Sequence, residues 1–127
     1  EAITVEALLA AHATGCLDYV MTSLSASYPG LAFEDLAGYH FERSLRHGAR
    51  RAAEMRESAA TFDALGLNGA LGAAIADTQA AMGAAGNAVS PASSIRETIG
   101  HVAARRLGLA QRDDDLAAPR LKSKSAP

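Results

Sequence analysis

Apolar residues recur at helical spacing along most of the chain, and no segment shows the period-two alternation of β-branched and aromatic residues that a strand needs. Ile3, Ala7, Ala10 and Ala11, with Leu8 beside them, predict the inner face of a first helix that ends near Ala13, where Thr14-Gly15 interrupts the pattern. A second helix is expected from about Cys16 to Ser27 on Leu17, Val20, Met21 and Leu24. Tyr28-Pro29-Gly30 stops it, because proline cannot continue the hydrogen-bond ladder and glycine enters a turn at little cost. From about Phe33 to Gly66 runs the most regular pattern: Phe41, Leu45, Gly48, Ala52, Met55, Ala59 and Phe62 follow one another in steps of four and three, a heptad seam. Such a seam packs at a shallow angle against another long helix, within the chain or across a two-fold, and Gly48, Ala52 and Ala59 let the backbones approach.

Gly66 is the natural left-handed residue to end that helix. A fourth helix, from about Ala70 to Ala85, is expected to bury Leu71, Ala74, Ile75, Thr78 and Met82. After a loop over 86–91, Ser93 or Ser94 caps a last helix from about Ile95 to Leu107, with Glu97 placed as in a capping box. Beyond Gly108 the sequence turns polar, and residues 109–127 are expected to form a disordered tail. The fold class is therefore all-α: residues 1–108 form one bundle of about five helices around one long central helix.

Composition changes this picture in one respect. The hydrophobic share is 49%, but much of it is alanine, aromatics make up 5%, and tryptophan is absent. Small side chains remove little apolar area per helix, so further burial against a second copy is expected, as a homodimer. A net charge of −2 implies no attraction to nucleic acid, and no apolar run approaches the roughly 20 residues that span a bilayer. The one cysteine, Cys16, lies in an apolar stretch and is expected to be a buried, inert thiol, which fits a reducing cytoplasm. The chain opens directly in helical pattern, without Ser, Asp or Asn in a capping position, so its first helix is expected to continue a longer one and the chain to be a piece of a larger protein.

Chemistry is sparse. CxxC, HExxH, GxGxxG and GxxxxGK[ST] are all missing, so no metal or dinucleotide site is expected on this chain. His12, His40, His47 and His101 lack metal-ligand spacing; His40 and His47 share a face but lie two turns apart. The densest feature is the stretch from Arg43 to Arg51, in which Arg43, Arg46, His47 and Arg50 fall on one helical face. Arginine forks suit the carboxylate or phosphate of a small acidic substrate. The alternative is a solvated face balanced by Glu42, Glu54 and Glu57.

The stretch from Arg46 to Glu57, followed by Ala59-Ala60-Thr61 and Ala64-Leu65-Gly66-Leu67, resembles a signature of phosphogluconate-dehydrogenase-like members of the β-hydroxyacid dehydrogenase superfamily, and the opening from Glu1 to Ala11 is similar to the continuation of their interdomain helix. The resemblance implies the C-terminal domain of an NAD(P)-dependent oxidoreductase, one that dimerises and closes the substrate cleft. An N-terminal Rossmann domain would hold NAD or NADP, and the catalytic lysine would precede Glu1. Lys122 and Lys124 are the only lysines here and fall in the tail, so no catalytic residue is assigned to this chain. A free-standing helical module that dimerises and performs no chemistry is the competing expectation.

Overall fold

The computed structural model describes residues 1–86 and 94–108. Most of the expected loop before the last helix, Ser93 and the expected tail over 109–127 lie outside the described residues. Five helices follow in order: α1 (Ala2–Ala13), α2 (Leu17–Ser27), α3 (Phe33–Ala64), α4 (Gly69–Gly86) and α5 (Ile95–Leu107). There is no strand among the described residues, and no described helix is long and apolar enough to cross a membrane.

The helix ends are local chemistry. At the end of α3, Gly66 adopts a φ of 77°, the Leu67 amide donates to the Phe62 carbonyl at 2.8 Å and the Gly66 amide donates to Asp63 at 3.0 Å. These two bonds make a Schellman motif, which satisfies carbonyls that the helix itself leaves open. Gly15 repeats it after α1, where the Cys16 amide donates to Ala11 and the Gly15 amide to His12. The Asp63 carboxylate then accepts from the Gly69 amide at 3.1 Å, fastening the start of α4 to the end of α3. Ser94 caps α5 by accepting from the Glu97 amide at 3.2 Å.

Helices α3 and α4 form a long antiparallel hairpin, and the heptad seam is consumed inside it. Gly48 lies against Gln79 and Gly83, Gly86 against Leu45, Gly72 against Ala59, and Gly69 against Asp63. The backbones are so close that a Cβ at Gly48 would fall 2.6 Å from the Gly83 amide nitrogen, and one at Gly83 would fall 2.6 Å from the Ala49 nitrogen. Gly48, Ala52 and Ala59 are buried in this contact, while Leu45, Met55 and Phe62 are half-buried along its flanks. Phe41, the first seam residue, instead enters the main core with Phe33 and Ala37 of α3, Val5, Leu8 and Leu9 of α1, and Met21 of α2. Met82 of α4 and Ile99, Val102 and Ala103 of α5 complete it.

Three expectations are corrected. In α1 the inner face is Ala2, Val5, Leu8, Leu9 and Ala11, whereas Ile3 is 77% exposed and Ala7 and Ala10 face outward. In α4 the inner face is Gly69, Gly72, Ala76, Gln79, Met82 and Ala85, and Leu71 and Ala74 lie outside. Both helices are apolar almost all round, so periodicity in sequence does not single out the face that packs. Cys16 is exposed rather than buried, because the glycine turn after α1 carries it away from the core.

Candidate functional site

The basic face of α3 divides into two kinds of cation. Arg46 is closed against Glu42 at 2.7 Å and Arg50 against Glu54 at 3.5 Å, each an i,i+4 pair in solvent. Such pairs contribute only a few tenths of a kcal/mol, roughly, but they neutralise the guanidinium charge locally. Arg43 and His47 have no carboxylate within ion-pair distance among the described residues. Arg43 is half-buried, with its guanidinium carbon 5.9 Å from the centre of the Tyr39 ring and its Nε buried without a hydrogen-bond partner. Desolvation, then the charges of Arg43, Arg50 and Arg46, hold the His47 imidazole below its ordinary value against the opposing pull of Glu42. Thus the four residues singled out in the sequence do share one face, but only two of them keep an uncommitted polar group.

Beside that face lies a cleft of about 350 Å³ at the N-terminal end of α1. Arg50, Arg51 and Met55 form its α3 wall, Ile75 and Gln79 its α4 wall, and Glu1 its α1 edge. Arg51 pairs with Glu1, and the Gln79 amide donates to the same carboxylate at 3.3 Å. Burial alone would raise the Glu1 pKa, but the Arg51 bond and charge, the chain's amino group and Gln79 together bring it below the ordinary carboxylate value. The Gln79 Oε1 is buried without a partner. One turn further along α1, Thr4 and the His40 Nδ1 are hydrogen-bonded at 3.0 Å. Burial leads the causes that lower the His40 pKa, followed by the amino terminus; Arg51 also lowers it, and Glu1 opposes.

The sequence reading did not single out Glu1, Arg51 or Gln79 as a group. The one available signal was Gln79 itself, an uncharged polar residue in a helix that, apart from Asp77 and Thr78, is made of Gly, Ala and apolar residues. No group of three or more His, Cys, Asp or Glu side chains is placed to hold a metal ion among the described residues.

The comparisons agree with this architecture. Residues 11–82 match the domain of unknown function DUF1932. A solved structure described as the conserved hypothetical protein from Sinorhizobium meliloti 1021 is similar with a TM-score of 0.69 and 34% identity, over 83% of this chain and 36% of that one. The chain therefore spans little more than a third of that protein's length. No curated protein matches the sequence. The chain belongs to the DUF1932 family, the C-terminal helical domain of 6-phosphogluconate-dehydrogenase-like proteins.

Proposed function

We propose that this chain is the substrate-side, dimerising domain of an NAD(P)-dependent dehydrogenase acting on a small hydroxy acid or sugar acid. In that reading a Rossmann domain elsewhere in the enzyme binds NAD or NADP, and a lysine ahead of Glu1 exchanges the proton. This chain's own residues bind and orient the substrate.

The observation that supports the assignment most directly is the pair of uncommitted groups on α3. Arg43 holds a full positive charge against an aromatic face with no carboxylate to answer it, and His47 stands one turn away. A guanidinium in that state offers a fork of donors to a carboxylate or phosphate. The imidazole, kept neutral by its surroundings, donates one N–H and gains charge when an anion arrives. Arg46 and Arg50, tied to glutamates, set the background potential.

The test belongs in a dehydrogenase that carries this domain. Arg43→Ala is expected to raise the KM for the acidic substrate about tenfold while leaving cofactor affinity unchanged. An unchanged KM combined with a lowered melting temperature would instead assign Arg43 to structure.

A further inference from the structure

Phe33 and Phe41 of α3 are buried in the core, whereas Tyr39, two positions before Phe41, is 55% exposed. Exposure does not leave its ring without neighbours. The His40 ring lies beside it, with centroids 6.2 Å apart and planes at 52°, within the range at which tilted rings attract. His40 is itself fastened to α1 by the hydrogen bond between its Nδ1 and the Thr4 hydroxyl, at 3.0 Å. One turn on from Tyr39, the Arg43 guanidinium carbon lies 5.9 Å from the centre of the Tyr39 ring, inside the reach of a cation–π contact. A line of contacts thus runs from Thr4 through His40 and Tyr39 to Arg43. Along the same face, Arg46 and Arg50 have carboxylates one turn away, Glu42 and Glu54, which engage guanidinium donors and offset the charge. A ring face does neither. It attracts the cation through its quadrupole and leaves the charge whole and the N–H fork open to an anion.

We propose that Tyr39 is a positioning residue for anion binding: its ring holds the Arg43 guanidinium in place on α3 while keeping its charge and donors available. The inference rests on the reading of Arg43 as an anion-binding group and names the side chain that prepares it for that task. A free arginine in water samples many rotamers and loses that freedom when it clamps an anion. One already laid against a ring has lost part of it beforehand, so less is lost on binding and the anion is held more tightly. The effect belongs to the ring rather than to the hydroxyl, so phenylalanine serves equally and an aliphatic side chain does not. Tyr39→Glu would reproduce the spacing of Glu42 and Arg46, four residues apart, and close the Arg43 fork with a carboxylate.

Titration of the 127-residue chain with inorganic phosphate tests the proposal, followed by NMR through the His47 backbone amide and the buried Arg43 Nε–H. Circular dichroism confirms that each variant is folded, which the exposure of Tyr39 favours. Wild type and Tyr39→Phe are expected to bind phosphate alike, Tyr39→Leu about threefold more weakly, and Tyr39→Glu more weakly still. Arg43→Ala distinguishes failure of the anion site from failure of the part given to Tyr39. If Arg43→Ala binds phosphate as the wild type does, or the wild type shows no binding, the anion site is overturned and the role of Tyr39 with it. If Arg43→Ala weakens binding while Tyr39→Leu and Tyr39→Glu leave it unchanged, Arg43 keeps its role and Tyr39 is overturned as its positioning residue. A loss in Tyr39→Phe equal to that in Tyr39→Leu also overturns it, because the hydroxyl and not the ring would then carry the effect.

Discussion

At the scale of single residues, two histidines govern how this domain responds to acid. His40 and His47 both have pKa values below the ordinary imidazole value in the folded state. Above about pH 6.5 both forms of the chain keep these rings neutral, and they contribute nothing to the pH dependence. As pH falls below that value, the unfolded chain takes up protons that the folded chain resists, so stability declines. Glu1, with its pKa lowered, acts in a separate and more acidic window: its contribution is present above the ordinary carboxylate value and is lost as pH falls through the folded one. Urea denaturation at pH 7.5 and 5.5 should show wild type losing more stability than His47→Gln over that interval. Equal losses would mean that His47 is not held neutral by its neighbours.

The helices differ in how much of them a sequence reveals, and the reason is chemical. In α3 the polar residues on one side phase the helix, so Phe41, Gly48, Ala52 and Ala59 were legible as an inner line, and they are buried. In α1 and α4 there is almost no polar side to phase against, so Ile3 and Leu71 looked like core and are exposed, while the residues that pack in α4 are largely glycine and alanine. Glycine packs through the side chain it lacks, and that does not register as hydrophobicity. The basic face of α3 was legible in the same way as its seam, but the partition of its cations was not, because pairing depends on which rotamers the glutamates adopt. Arg51 and Gln79 meet Glu1 across separations of 50 and 78 positions in the sequence, contacts that no local pattern encodes. The hairpin itself gives a sharp prediction. Alanine normally stabilises a helix interior relative to glycine by about 1 kcal/mol, and Gly38→Ala on α3, where a Cβ would meet nothing within 4 Å, should show that gain. Gly48→Ala and Gly83→Ala would each drive a methyl group into opposing backbone, and should instead cost roughly 1–3 kcal/mol. Chemical denaturation of the three variants reads this out, and a stabilised Gly48→Ala would mean that the two helices lie further apart than described.

For the whole molecule, the bundle is closed by a few long-range charged contacts around a small core. Arg96 on α5 bonds both Asp18 of α2 and Glu34 of α3, and Arg106 bonds Glu6 of α1, so the last helix is tied to three others. These exposed pairs orient the helices more than they stabilise them, and the architecture they hold is built for presenting surfaces: a basic helix face, a cleft at the start of α1 and an apolar outer wall. A dinucleotide site has different requirements. Its pyrophosphate sits on the free amides of a helix N-terminus, approached through a glycine-rich turn that follows a strand. Among the described residues no strand precedes any helix, and the one helix start capped by its own N-cap side chain, that of α5, already has the Glu97 amide engaged by Ser94. Titration calorimetry of the 127-residue chain with NADH and NADPH is therefore expected to show no stoichiometric binding. Binding of either at one site per chain would sink the division of labour proposed between this domain and a separate nucleotide-binding one, and would move the search for the cofactor site to the cleft beside Arg50 and Arg51.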